Sequence, residues 1–226
     1  MKNYTVLHEK LLYNKKKIIT KEELSDTCKL LKISYESAIN YLLTKKYVLR
    51  IFRGIFYIKS LEERKLGKLE LNFYDVLKEA FKIKGIENWY FGLETAIKFN
   101  NLTHEYFTIT YVISDKLKRK EVMDIFGYKV KFISIKKELT NFGIIKDNFP
   151  YSDTEKTILD KIYLGFYKGL DKVIIRNNII EYYDECDKKK LINYAKHYPK
   201  TVRRFIESLD NDKKRNNLFY NKKEGN

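Results

Sequence analysis

Five ionisable side chains crowd into the nine residues from Asp153 to Lys161: Asp153, Glu155, Lys156, Asp160 and Lys161. Carboxylates beside a lysine can hold a divalent cation and help water attack a phosphodiester, so hydrolysis by a bound metal is the first chemistry to weigh. A plainer reading competes with it. Ser152-x-x-Glu155 has the form of a capping box, which puts Asp153 and Glu155 in the first turn of a helix, where acidic side chains complement the helix dipole. The plainer reading is preferred here. His8, His104 and His197 stand one to a segment, with no partner at metal-ligand spacing, and are read as structural. No serine or cysteine lies in a nucleophile-elbow context, and Gly127, Gly165 and Gly169 are isolated rather than gathered into a phosphate loop. The expectation is a protein with no catalytic residues, no metal and no cofactor, which is not an enzyme.

A different chemistry is written into the first quarter of the chain. Residues 1–60 hold thirteen lysines and arginines against five carboxylates, a net +8, which is half of the +16 carried by all 226 residues. A concentrated basic segment is what a phosphate backbone attracts, and nucleic acid ranks ahead of a membrane surface as partner. No apolar run is long enough to span a bilayer, and the N-terminal MKNYTVLHEK lacks the apolar stretch of a secretion signal. Cys28 and Cys186 are far apart in sequence, so reduced, buried thiols and a cytoplasmic location are expected.

The elements that must position those charges can be read in order. Val6, Leu7, Leu11 and Leu12 give a first helix within Tyr4 to Tyr13, and Ile18-Ile19 a short strand. Thr20-x-x-Glu23 is a capping box for a helix bearing Leu24, Cys28 and Leu31 on one face. Ser34 caps the next helix. Tyr35, Ala38, Ile39 and Leu42 fall on its apolar side, and Ser34, Ser37, Asn40, Tyr41 and Thr44 on the other, free for base edges or phosphates. Two β-favouring runs, Tyr47 to Phe52 and Ile55 to Ile58, flank a turn at Arg53-Gly54 and form a hairpin, with Lys45, Lys46, Arg50, Arg53 and Lys59 around it. Helix, helix and hairpin in this order make a winged helix-turn-helix. The ten residues Ser34, Ser37, Asn40, Tyr41, Thr44, Lys45, Lys46, Arg50, Arg53 and Lys59 are its expected contacts to double-stranded DNA.

Beyond it the fold class is α/β (α+β). Residues 1–60 form the DNA-binding domain, residues 61–210 a mixed domain with a helical C-terminal part, and residues 211–226 a flexible basic tail. The boundary is placed in the charged stretch Ser60 to Leu71. A helix is expected over Asn72 to Lys84, a strand at Trp89 to Phe91, a helix over Gly92 to Phe99, and strands over Tyr106 to Ile113 and Tyr128 to Ile135. Lys116 to Phe126 is read as partly helical, and a third strand is placed near Phe142 to Ile145. Helices follow Pro150, over Asp171 to Tyr183, Lys188 to Tyr198 and Lys200 to Leu209.

With these parts in order the chain resembles the AbiEi family of type IV toxin–antitoxin antitoxins. LRIFRGIFYIK is similar to the family's arginine-glycine-tyrosine hairpin. WYFGLETAIKFNNLTHE is similar to its small helix followed by a "gly/asn-leu-thr" turn. YSDTEKTILDKIYLG is similar to its proline-glutamate-lysine helix start, with Thr154 where proline is common. The resemblance implies a winged helix that represses the protein's own promoter and a C-terminal domain that counteracts a nucleotidyltransferase toxin of the same operon, whether or not the two touch. The alternatives are a winged-helix regulator whose second domain senses a ligand, and a nuclease using a metal at Asp153 or Glu155. The basic runs Lys116 to Lys120 and Lys200 to Arg204 could also extend a DNA-contacting surface.

Overall fold

The computed structural model describes residues 2–14 and 16–209, so the basic tail at 211–226 lies outside the described residues. The chain divides into two compact units. One runs through Glu87 and includes Met123–Tyr128; the other comprises Asn88–Val122 and the residues from Lys129 on.

The first unit begins with helix α1 (Lys2–Tyr13), strand β1 (Ile18–Thr20), α2 (Lys21–Leu30) and α3 (Tyr35–Thr44), followed by β2 (Val48–Phe52) and β3 (Ile55–Ile58). Both caps form. The Glu23 amide donates to Thr20 Oγ1 at 3.2 Å, and the Thr20 amide to the Glu23 carboxylate at 3.0 Å. Ser34 Oγ accepts from the Ser37 amide. Leu7, Leu11, Leu24, Cys28, Ala38, Ile39 and Leu42 close a helical core over one face of the sheet, meeting Val48, Phe56 and Ile58. The strand order is β1-β3-β2, all antiparallel. β3 is therefore central, and all four of its side chains are buried.

A sheet buried on both faces needs a second cover. Helix α4 (Leu61–Leu66) and helix α5 (Phe73–Ile83) supply it, with Phe52 of β2 stacked on Phe81 of α5 at 5.7 Å. The unit thus extends past the Ser60 to Leu71 boundary read from the sequence. The charged stretch is itself structured: Ser60 and Glu63 form a capping box and Gly67, in the left-handed region, ends α4. The strand β6 (Met123–Ile125) and its turn also belong to this unit, with Phe126 edge-on to Tyr57 and Tyr128 stacked on Phe73 at 4.1 Å.

The second unit contains β4 (Trp89–Phe91), α6 (Leu93–Phe99), β5 (Ile109–Ser114), β7 (Tyr128–Ser134) from its second residue on, a 3-10 turn (Lys137–Thr140), β8 (Ile144–Lys146) and β9 (Pro150–Ser152). Helices α7 (Thr154–Tyr167), α8 (Lys172–Asn177), α9 (Ile180–Tyr183) and α10 (Lys188–Ala195) follow, with a last helix over 200–209. Its strands lie in the order β7-β5-β4-β9-β8. β5 and β7 are parallel, as are β4 and β9, while β4–β5 and β8–β9 are antiparallel, so the sheet is mixed. The helices pack a core of Tyr90, Ile97, Ile113, Ile158, Leu159, Ile162, Tyr183, Leu191 and Val202.

Several sequence expectations change here. Asp153, not Ser152, caps α7, accepting from the Lys156 amide at 2.8 Å, because Ser152 ends β9 and shares a 2.7 Å hydrogen bond with the Thr157 hydroxyl. Lys116 to Phe126 contains no helix; the Leu117 amide turns back onto Ser114 Oγ, and β6 takes the end of the stretch. The helix expected over Asp171 to Tyr183 is two short ones, broken at Asn178. The strand near 142–145 starts at Ile144, since Gly143 turns the chain at φ +64°, and pairs with a β9 that the sequence reading assigned to the helical part. Of the face shared by Tyr128, Val130 and Phe132, the last two are buried and Tyr128 is half exposed.

Candidate nucleic-acid interface

The exposed side of α3 is built by its own periodicity. Ala38, Ile39 and Leu42 are spent on the core, which leaves Ser37, Asn40 and Thr44 on the solvent side. Ser34 is exposed too, but its hydroxyl is engaged, accepting from Ser37 and donating to Glu36 at 3.0 Å. Tyr41 is placed differently from the other four. It is half-buried, stacked on Tyr4 at 5.0 Å and edge-on to Tyr47 at 5.8 Å, so its ring belongs to the seam with α1.

At the end of α3 the chain reverses. Lys46 takes φ +53°, and the Tyr47 amide donates to the Leu42 carbonyl at 2.8 Å. A left-handed lysine costs about 1 kcal/mol, and here it turns the backbone into β2 while leaving Lys45 and Lys46 exposed side by side. In the hairpin the register shifts between Arg50 and Phe52, an irregularity that adds local twist. Arg50 is exposed, its guanidinium 5.9 Å from the Phe56 ring centre. Arg53 is exposed at the tip beside Gly54, whose φ of +78° is the backbone state a tight hairpin turn requires. The Gly54 carbonyl accepts from the Lys21 amide at 2.7 Å, so the tip is tied to the start of α2.

That tie brings in a residue the sequence reading missed. Lys21 is exposed, its ammonium 5.6 Å from the Tyr35 ring centre. Only the pairing of β1 with β3 sets it beside the wing tip, so nothing in local spacing could have found it. Lys59 sits farther back. It is half-buried, its amide donating to the Tyr47 carbonyl and its carbonyl 3.3 Å from His8 Nε2. His8 is buried against Tyr47, and burial pushes its pKa below the usual histidine value. Among the described residues, no ion pair engages Lys45, Lys46, Arg50 or Arg53.

The carboxylates of the rival reading are otherwise occupied. Asp153 caps α7 with one oxygen and takes Lys190 at 3.0 Å and Tyr194 at 3.2 Å with the other. Glu155 meets Lys190 at 2.8 Å and the Asp187 amide at 2.9 Å. Lys161 pairs with Glu94. Asp160 and Lys156 form a fully buried pair, 2.5 Å apart, in which the hydroxyls of Tyr90 and Tyr198 touch both partners. Burial pushes the Lys156 ammonium pKa down, and Asp160 offsets part of that. No group of three or more histidine, cysteine, aspartate or glutamate side chains among the described residues is arranged to hold a metal ion. A pocket in the second unit, bounded by Glu94, Tyr111, Lys161 and Lys168, measures about 110 Å³, below the ~300 Å³ at which ligand sites begin.

The first unit therefore has a winged-helix-like architecture with a basic, hydroxyl-bearing helix face, followed by a mixed α/β unit. No family model matches the sequence, and no curated protein is detectably similar to it. The fold is similar to that in the crystal structure of the RV2827C protein from Mycobacterium tuberculosis, with a TM-score of 0.60 over 92% of this chain and 76% of that one, at 11% identity. At that identity the likeness concerns the fold. No helix among the described residues is long and apolar enough to cross a membrane.

Proposed function

We propose that this chain is a DNA-binding regulator that represses its own promoter and acts in the cytoplasm, by binding rather than catalysis, as the antitoxin to a nucleotidyltransferase toxin of the same operon. The observation that carries the DNA-binding half is the set of four exposed cations around the solvent face of α3, Lys45, Lys46, Arg50 and Arg53, which no carboxylate among the described residues neutralises. Cations left free of internal partners keep their charge for phosphates, and a helix face of Ser37, Asn40 and Thr44 offers the short donors and acceptors that meet base edges. The antitoxin half is supported by the resemblance of the hairpin, the Trp89 to Glu105 segment and the Tyr151 to Gly165 segment to AbiEi-type proteins.

The test is a titration of the full chain against labelled duplex from its own promoter across a salt series. If about five phosphates are neutralised, log K against log salt falls with a slope near −4 to −5. A slope near zero removes the DNA-binding reading.

A further inference from the structure

A groove of about 1010 Å³ opens in the first unit on the side of β2, and four cations line it: Lys46, Arg50, Lys59 and Lys68. Its lining includes one carboxylate, Glu70, and that charge is already met, by Lys17 at 2.5 Å and by the Ser60 hydroxyl at 2.8 Å. Among the described residues none of the four cations has such a partner. The net field of the groove is positive, which calls for an anion. Two of the four, Lys46 and Arg50, also belong to the face around α3, so the groove continues that face rather than standing apart from it.

The far wall comes from parts of the chain outside the expected DNA-binding domain. Gly67, with φ +69°, ends α4 and turns the chain so that Lys68 stands exposed on the rim. The turn after β6 supplies Tyr128, stacked on Phe73 at 4.1 Å with only 11° between the rings and half of the residue open to solvent. A tyrosine held flat by an aromatic neighbour is a fixed hydroxyl donor at little entropic cost, and tyrosine hydroxyls are regular phosphate contacts.

We propose that this groove seats the phosphodiester backbone of the same duplex where it leaves the wing, with Lys68 meeting one phosphate and the Tyr128 hydroxyl another. The inference rests on the reading of α3 and the wing as a duplex-binding face, and it enlarges the footprint beyond residue 60.

The experiment uses the full chain and the promoter duplex, with wild type, Lys68→Gln, Tyr128→Phe, Arg53→Ala and Lys65→Gln compared over the same salt series. Tyr128→Phe keeps the stack on Phe73 and removes one oxygen. Lys65 is exposed on α4 outside the groove, so its variant removes the same charge from the same neighbourhood. Lys68→Gln should lower the salt slope by about one. Tyr128→Phe should weaken binding about fivefold with the slope unchanged, as expected for a lost neutral donor. Lys65→Gln should behave as wild type. Wild-type behaviour of both groove variants while Arg53→Ala weakens binding overturns the groove and leaves the wing reading standing. Equal losses from Lys65→Gln and Lys68→Gln mean that overall charge is at work and also overturn it. No binding by wild type removes both readings together.

Discussion

The Lys156 side chain is wholly buried. Its charge is met by Asp160 at 2.5 Å, by Tyr90 at 2.9 Å and by Tyr198 at 2.8 Å, and the same two hydroxyls satisfy the carboxylate. A buried pair of this kind contributes little against an apolar core of equal volume, yet removing one partner strands the other. Asp160→Ala should therefore cost about 3–5 kcal/mol, read by urea unfolding through the fluorescence of Trp89, the single tryptophan and a residue of β4. Lys156→Met combined with Asp160→Leu should recover part of that loss and not all of it, because the two tyrosine hydroxyls then lack a partner. A cost under about 1 kcal/mol for Asp160→Ala, against the range expected for a stranded charge, would mean that solvent reaches the pair. The i to i+4 spacing of Lys156 and Asp160 is visible in the sequence. The tyrosines that complete the network are 66 and 42 residues from Lys156, and no local pattern announces them. The sequence placed Asp153 and Glu155 at the start of the helix but set the cap one residue early, on Ser152.

At the scale of elements, local chemistry was legible wherever a short motif closes on itself. The Thr20–Glu23 box, the Ser34 cap and the hairpin turn at Arg53-Gly54 all form because each needs only four or five consecutive residues. Ser60-x-x-Glu63 has the same form and lies in the charged stretch where the sequence reading places the domain boundary. Its glutamate turns out to be buried. Glu63 accepts from the amides of Ser60 and Glu70, each at 2.7 Å, from Lys17 at 3.1 Å and from the Tyr57 hydroxyl of the central strand. Burial alone would raise the Glu63 pKa; the donors outweigh it, and the carboxyl lies below its ordinary value. A depressed carboxyl stabilises the folded state fully above the unfolded pKa, and that contribution is lost as pH falls through the folded one. Amide exchange of Ser60 and Glu70, corrected for its intrinsic pH dependence, should accordingly lose protection on acidification below about pH 4.5. In Glu63→Gln protection should be low at neutral pH and change little on acidification. Protection in the variant equal to wild type at neutral pH would show that the carboxylate does not hold α4 to the sheet.

On the scale of the whole molecule, charge was the signal that needed no fold. A net +8 in residues 1–60 marks where phosphate binding would concentrate, and the four exposed cations of the helix end and wing lie within that stretch. The unbroken apolar run Ile55, Phe56, Tyr57 and Ile58 is what a strand buried on both faces looks like, but no local pattern says that α4 and α5 supply the second cover. The first unit accordingly runs on to Glu87 and takes in Met123–Tyr128, and a division of labour between the units is to be tested with the whole chain rather than with a fragment cut at residue 60. Arg53→Ala removes an exposed charge and no core atom, and leaves the Gly54 turn and its bond to Lys21 in place. In cells it should weaken repression of a reporter under the native promoter by about the share of one phosphate contact. If repression belongs to the wing and protection to the second unit, the same variant should still rescue growth when it and the neighbouring toxin are expressed from unrelated promoters. Loss of rescue at wild-type expression level would assign protection to DNA binding itself, and would remove the ground for giving the two activities to different units.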